Sequence, residues 1–267
     1  MAPTDFSDIA DRAIEFAINL ALKCDAEILF LHAYEVPFSG GAGAGGMKNL
    51  DQLHREDAQK RLVKFEKKVV EKYPNLKFKT FNDASLPVDS IKAFCKEKDF
   101  DLVIMGTAGA SGIEDFVGST TSNVIGKVDV PLIAIPSSSK NDFPSNVLVA
   151  SDFKSENFKK EITPLVELME YFDASVDFIN VRKGTTKEIY FDLEGLKSIF
   201  GGRFGAVHKE ESNDVETGLT NYVENNTVDL LVVIAHQKSL WEKLWNKSIS
   251  KSLVKHLTIP VMVLPEH

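Results

Sequence analysis

One segment of the chain combines spaced glycines with hydroxyl side chains, a combination that suits anion binding. It runs from Met105 to Asn123 and reads MGTAGASGIEDFVGSTTSN. Glycine at 106, 109 and 112 removes side chains where the backbone must bend or approach a ligand. The Gly-Ser-Thr-Thr run at 118–121 opens a predicted helix, whose free N–H groups and partial positive charge favour phosphate. The spacing fits equally well a glycine-rich turn followed by an ordinary helix cap.

The elements around this segment predict a parallel sheet covered by helices on both faces. Three short runs, at 28–33, 102–105 and 132–135, are apolar without alternation, which is typical of strands buried on both sides. Residues 77–81 alternate between polar and apolar side chains and predict a strand toward one edge. Helical patterns lie between the strands: one capped by Ser7, a long charged one at about 47–73, and shorter ones at 88–98 and 119–127. This order indicates a doubly wound, Rossmann-like α/β fold, whose ligands sit at the carboxyl ends of the strands.

The whole pattern occurs twice along the chain in the same order, which indicates duplication of a domain. The recurring segments are 2–7 with 149–154, 25–32 with 173–180, 101–105 with 229–234, and 130–136 with 259–265. A polar stretch at 137–142 separates the copies, so we predict two tandem domains, 1–138 and 139–267. The second copy opens with a strand at 146–149, where the first has only Met1-Ala2. Either the first domain lacks most of this strand, or the natural chain starts upstream of Met1.

Taken together, these segments resemble the universal stress protein family. The resemblance is carried by Pro3-Thr4-Asp5-Phe6-Ser7, by Gly106-x-x-Gly109 and by Gly118-Ser119, and it extends over both halves. In that family a glycine pair, a nine-residue gap and a Gly-Ser/Thr pair mark the members that bind ATP. Here eight residues separate the second glycine of the pair from the next, which changes the reach of the loop by up to about 3.5 Å.

The resemblance implies an adenine nucleotide alpha hydrolase-like fold with a nucleotide between the first and fourth strand ends. Asp5 and the backbone near Ala33 would then lie at the adenine and ribose, and the following glycines would border the ribose and phosphates. The complete set of candidate nucleotide-binding residues is Pro3, Thr4, Asp5, Ala33, Met105, Gly106, Gly109, Gly118, Ser119, Thr120 and Thr121.

The second copy has lost the glycines of this segment. Its counterpart, residues 234–248, contains none, so side chains occupy the space that phosphates would need. We therefore expect no nucleotide there, although Asp152 stands at the position of Asp5. Trp241 and Trp245, the only tryptophans, stand in this altered segment at i and i+4. They are consistent with a local cover over the core, or with a contact surface for the other repeat, a second subunit or a partner.

Composition excludes several other classes of protein. The formal net charge is −8 and the basic residues form no run, which argues against nucleic-acid binding. No stretch approaches about 18 uncharged apolar residues, and the N-terminus does not resemble a signal peptide, so we expect no membrane span. Cys24 and Cys95 are the only cysteines and lack metal-ligand or disulfide spacing, which fits a reducing cytoplasm.

Other signals are interpreted structurally. A G-x-G-x-x-G at 41–46 lies several residues beyond its strand and predicts a flexible loop. His32 stands within a strand and is interpreted as a core residue whose hydrogen bonds are satisfied. No Walker A motif, nucleophile elbow or H-E-x-x-H is present, and no nucleophile–base pair supports dedicated catalysis.

The sequence thus predicts a cytoplasmic stress-response protein that binds ATP, or AMP or ADP, in its first half, with Mg²⁺ as an accompanying ion. We expect the repeats to pack as an internal pseudo-dimer, which is compatible with further homodimer formation and with an unidentified protein partner. Two alternatives stay open. Glu114 and Asp115 could recruit a metal and make the protein a slow ATP hydrolase. The other alternative is a partner-binding or scaffold protein without a nucleotide.

Overall fold

Strands and helices alternate along the chain in two successive sets. The computed structural model describes residues 1–35, 44–107, 119–125, 127–139, 143–153, 155, 157–182, 192–234 and 259–265. The first half contains, in order, β1 (Ala2–Pro3), α1 (Asp8–Cys24), β2 (Glu27–Ala33), α2 (Ala44–Lys72), β3 (Lys77–Asp83), α3 (Pro87–Glu97), β4 (Val103–Gly106), α4 (Ser119–Val124) and β5 (Leu132–Ile135). The second half contains β6 (Asn146–Ala150), α5 (Phe158–Glu161), α6 (Thr163–Met169), β7 (Ser175–Arg182), α7 (Leu193–Phe200), β8 (Phe204–Glu211), α8 (Val215–Asn225), β9 (Leu230–Ile234) and β10 (Val261–Leu264).

Both halves arrange their parallel strands in the same order. Seven strands run β4-β5-β10-β9-β6-β7-β8, and a group of three runs β1-β2-β3. The two groups meet at β1 and β4, where the Ile104 N–H donates to the Met1 carbonyl oxygen at 3.0 Å. The next bond of a parallel ladder would need an N–H from Pro3, which proline lacks. The strands therefore lie side by side although their ladder is interrupted, and each half has its first strand at the centre.

The two halves join through their last strands. β5 and β10 pair antiparallel, with Ala134 opposite Val261 and Leu132 opposite Val263. All other pairings among the described strands are parallel. Every residue of these two strands is buried, so the joint lies inside the sheet and presents no free edge. Reversed strand order across an antiparallel joint is the arrangement that a two-fold rotation produces.

Two hydrophobic cores cover the sheet, one on each face, and both extend across the joint. Side chains of β5 alternate between them: Ile133 and Ile135 belong to one core, and Leu132 and Ala134 to the other. Helices α1, α2, α6 and α7 close the first face, and α3, α4 and α8 close the second. The fold is therefore a doubly wound α/β sheet of the Rossmann-like type expected from the sequence.

Most elements agree with the sequence-based expectations, and β3 is an edge strand as its alternation predicts. Two elements differ. α2 begins at Ala44, so Gly45 and Gly46 lie in a helix and not in the expected loop. Glycine costs about 1 kcal/mol in a helix, which a long helix anchored by packing can absorb. α4 ends at Val124 and not at Lys127; glycine at 126 is a residue type that commonly ends helices.

None of the helices that the structure describes is long and apolar enough to span a membrane.

Candidate functional site

The carboxyl ends of β1, β2 and β4 meet at one rim of the sheet. Pro3 is in register with Leu31, and the Thr4 N–H donates to the Leu31 carbonyl oxygen at 2.9 Å. Ala33 ends β2, and Gly106 ends β4 on the other side of β1. Since parallel neighbours end together, the backbone at these positions lies around a common space. The structure thus brings together the first four candidate residues in the chain, Pro3 to Asp5 and Ala33, with Gly106.

A tight turn after β1 presents the carboxylate of Asp5 at this rim. Phe6 has a positive φ of 61°, and its N–H donates to the Thr4 hydroxyl oxygen at 3.0 Å. The Asp5 carboxylate accepts from the Ser7 N–H at 3.0 Å and from the Ser7 hydroxyl at 2.5 Å. The Ser7 hydroxyl oxygen also accepts from the Ala10 N–H and so caps α1, as the sequence predicts. Asp5 is exposed, and its carboxylate is held in place by Ser7.

His32 ties this turn to the middle of the sheet. Its Nδ1 lies 2.9 Å from the Thr4 carbonyl oxygen, which only accepts, so Nδ1 carries the hydrogen. The ring centroid is 4.4 Å from that of Phe6, and the residue is buried. Burial, the largest cause, lowers the pKa of His32 below its ordinary value of 6.5. The interpretation of His32 as a core residue is confirmed, and its Nδ1 has a hydrogen-bond partner.

Near Gly106 one threonine hydroxyl bonds to the protein backbone. The Thr121 hydroxyl donates to the Gly106 carbonyl oxygen at 2.6 Å, and Thr121 is 2% exposed. This bond fastens α4 to the end of β4. The side chain of Met105 lies in the core, so only its backbone faces the rim. Thr120 is half-buried beside these groups.

Several candidates lie outside what the structure describes. Gly109 and Gly118 fall outside the described residues, as do Glu114 and Asp115 and the two tryptophans, Trp241 and Trp245. Ser119 opens α4, but its side chain is not described.

The second half repeats the turn without the glycine segment. The Ser151 N–H donates to the Ile179 carbonyl oxygen at 3.1 Å, and Phe153, with φ of 56°, donates its N–H to the Ser151 hydroxyl oxygen at 3.0 Å. Asn180 takes the place of His32, and its Nδ2 donates to the Ser151 carbonyl oxygen at 2.8 Å. Asp152 occupies the position of Asp5.

Sequence reasoning missed the link from the second strand to the turn in both halves. His32 and Asn180 each occupy the last position of the repeated segments 25–32 and 173–180. A polar residue at the same position of the two repeated segments, directly after apolar residues, is the signal that could have found them. A buried polar side chain requires a partner, and the neighbouring turn supplies it.

In the part of the chain that the structure describes, the potential metal ligands and thiol nucleophiles are the acidic side chains, the histidines and the two cysteines. They contain no group of three His, Cys, Asp or Glu side chains that could hold a metal ion. Cys24 and Cys95 are free thiols, and burial raises the pKa of Cys95 to about 11. A thiol with such a pKa is not a reactive thiolate at neutral pH.

Comparison with known proteins places this geometry in context. The model of the universal stress protein family matches residues 1–136 and 192–265. Universal stress protein MJ0531 of Methanocaldococcus jannaschii is 33% identical over 135 residues, which cover 50% of this chain and 78% of that protein. A universal stress protein from Archaeoglobus fulgidus superposes with a TM-score of 0.71 over 99% of this chain and 95% of its own, at 20% identity. Protein PA1789 of Pseudomonas aeruginosa gives 0.57 over 98% and 89%, at 11% identity. At these identities the two solved structures show the same fold.

Proposed function

This chain belongs to the universal stress protein family, and from that premise we propose that its first half binds ATP or a related adenine nucleotide in a regulatory, stress-response role. The observation that carries the proposal is the exposed carboxylate of Asp5, fixed by Ser7 at the rim where β1, β2 and β4 end. A fixed acceptor beside converging strand ends suits the hydroxyls of a ribose. The adenine lies against the backbone of Ala33 in this proposal.

The phosphates are assigned to the glycine segment. Gly106 borders the ribose and phosphates, and the segment that continues through Gly109 to Gly118 and Ser119 receives the phosphate oxygens. Support comes from the place of Gly106 at the end of β4 and from the family's glycine spacing in the sequence. We propose Mg²⁺ only as an ion that is bound together with the nucleotide.

The nucleotide-binding domain comprises residues 1–138 in this proposal, and residues 139–267 form a domain without nucleotide. The second half keeps the turn around Asp152, but its counterpart of the glycine segment, residues 234–248, contains no glycine. The proposed setting is the cytoplasm, because the two cysteines are free thiols.

Calorimetric titration of ATP with Mg²⁺ tests the proposal, and the internal repeat supplies its control. We expect one site per chain, with an affinity that falls roughly tenfold or more in Asp5→Ala, since hydrogen bonds to charged groups contribute about 1.5–3 kcal/mol. Asp152→Ala removes the matching carboxylate from the second half and leaves the affinity unchanged. Equal losses in the two variants contradict the assignment to the first half.

A second variant probes the phosphate side. Gly118→Asp adds a side chain and a negative charge where the phosphates are assigned, so we expect it to abolish binding. Phosphate release during prolonged incubation with ATP separates binding from slow hydrolysis. If the unchanged protein binds no ATP, the proposal fails and a partner-binding protein without nucleotide replaces it.

A further inference from the structure

His32 joins the middle of the first half's sheet to the turn that carries Asp5. We propose that His32 is a positioning residue of the nucleotide site: its neutral ring holds the turn from Thr4 to Ser7 in its binding shape, and protonation of the ring releases that turn. The inference rests on the proposed function, because it assigns a proton-dependent control to the same site. Nucleotide affinity is then expected to fall in mildly acidic solution.

Three hydrogen bonds anchor Thr4, and His32 makes the one that can change with pH. The Thr4 N–H is bonded to Leu31 at 2.9 Å, and the Thr4 hydroxyl oxygen accepts from Phe6 at 3.0 Å. Its carbonyl oxygen lies 2.9 Å from Nδ1 of His32. Thr4 is 6% exposed, so water cannot readily replace a lost donor at this oxygen. If the imidazole ring of His32 moves away, Thr4, the residue directly before Asp5, is therefore disturbed.

The surroundings of the ring favour its neutral form. Phe6 covers it at 4.4 Å between ring centroids, and Tyr34 stacks at 6.1 Å. Burial and the positive charge of Arg61 on α2 lower the pKa of His32, whereas the bond to Thr4, Asp5 in the turn and Asp57 on α2 raise it; burial is the largest effect and the net shift is downward. The added proton goes to Nε2 and leaves the Nδ1–H bond to Thr4 in place, so this bond is lost only when the charged ring, which is less favourable here than in water, moves out toward solvent. The carbonyl oxygen of Thr4 then loses its donor.

The second half contains the same link without a titratable group. Asn180 replaces the histidine, donates to the Ser151 carbonyl oxygen at 2.8 Å and is 2% exposed. The turn it supports has a positive φ of 56° at Phe153, close to the 61° of Phe6 in the first half. Asparagine is therefore a replacement that the fold already accommodates at this position. It keeps the donor and removes the proton dependence.

The test compares the unchanged protein with His32→Asn and His32→Leu. Asparagine and leucine are similar in shape, so the two variants differ chiefly in the hydrogen-bond donor. Each protein is titrated with ATP at pH 7.5 and pH 5.5, and the ratio of the two dissociation constants is measured. Protonation of ATP itself contributes equally to all three ratios and cancels in the comparison.

We expect the ratio to be larger for the unchanged protein than for His32→Asn, by at most about tenfold. That limit is what a group with the ordinary histidine pKa of 6.5 gives at pH 5.5. At pH 7.5 His32→Leu is expected to bind roughly fivefold or more weakly than His32→Asn, because its Thr4 oxygen lacks a donor. As a control, Asn180→His places a titratable ring in the second half and leaves the ratio at its original value.

The outcomes separate the inference from the proposed function. Equal ratios for the unchanged protein and His32→Asn, with binding intact, overturn the role of His32 and leave the nucleotide site standing. Absence of ATP binding by the unchanged protein at pH 7.5 overturns the proposed function and the positioning role together. His32→Leu is checked for folding by its urea denaturation, and if it is unfolded the comparison with His32→Asn still decides.

Discussion

The hydroxyl of Thr121 could donate either to a bound phosphate or to the protein backbone, and the sequence alone does not distinguish these two roles. Its place after Gly118-Ser119-Thr120 predicts a donor to phosphate. In the structure the hydroxyl donates instead to the Gly106 carbonyl oxygen, and the side chain is 2% exposed. The hydroxyl therefore fastens α4 to β4, and a contact with phosphate would require it to leave this bond.

Replacing Thr121 measures how much the hydrogen bond to Gly106 contributes to the free energy of unfolding. Thr121→Val removes the hydroxyl that donates to the half-buried Gly106 carbonyl oxygen, so we expect the free energy of unfolding to fall by about 0.5–1.5 kcal/mol. Thr121→Ser keeps the hydroxyl and is expected to recover most of the loss. Urea denaturation of the three proteins gives the comparison. A Thr121→Val protein as stable as the unchanged one contradicts the structural role.

For single residues, the sequence predicts which of them lie near the site better than it predicts their hydrogen-bond partners. Asp5 and Gly106 are found at adjoining strand ends as the motifs imply: Gly106 ends a strand that the apolar run at 102–105 predicts, and the strand before Asp5 is indicated by its counterpart at 146–149 in the second copy. The repeat could mark His32 as a residue in need of a partner, but the local sequence does not identify the partners of Thr121 and His32, which lie 15 and 28 positions away, respectively. Such partners depend on which strands become neighbours, and that information is not local.

Strand β7 carries an aromatic side chain, Phe178, around which much of the second half packs. Phe178 at its centre is 0% exposed and lies against four aromatic rings. Its centroid distances are 5.6 Å to Phe200, 6.0 Å to Phe153, 6.2 Å to Phe158 and 6.2 Å to Phe204. These rings come from the turn after β6, from α5, from α7 and from β8, so one side chain contacts four parts of the fold.

Removing this ring should therefore be costly. Phe178→Ala is expected to lower the free energy of unfolding by about 3–5 kcal/mol, through lost burial and the cavity left behind. Phe81 on the edge strand β3 offers a matched control, because it is 44% exposed. Phe81→Ala should cost less than about 1.5 kcal/mol. Denaturant unfolding monitored by circular dichroism measures both, and similar losses contradict the assigned packing.

Element boundaries follow from the sequence where local signals are strong. The cap at Ser7 and the alternation of residues 77–81 predicted the start of α1 and the edge strand β3. The first strand is the instructive case, since Ala2 and Pro3 form β1 at the centre of the first half's strands. Their neighbours β2 and β4 supply the burial that so short an apolar run could not predict by itself.

The molecule as a whole is expected to unfold in one step. Both hydrophobic cores contain residues from the two halves and continue across the joint between β5 and β10. Separating the halves would expose both fully buried strands at once, so neither half has an independent boundary at which unfolding could stop. Hydrogen exchange at increasing urea concentration should give core amides of β2 and β7 the same opening free energy. Two distinct plateaus, one for each half, contradict this expectation.

The reversal of direction at the joint also bears on how such a chain can diverge. Because β5 and β10 run antiparallel, the carboxyl ends of the two sets of strands line opposite rims of one sheet. In a symmetric pair of identical chains every substitution appears at both rims together. A single chain that contains both sets of strands can differ between its halves, and here the glycine segment of the first half has a counterpart without glycine in the second. The two rims of this sheet are therefore separate surfaces, and a substitution can change one of them without changing the other.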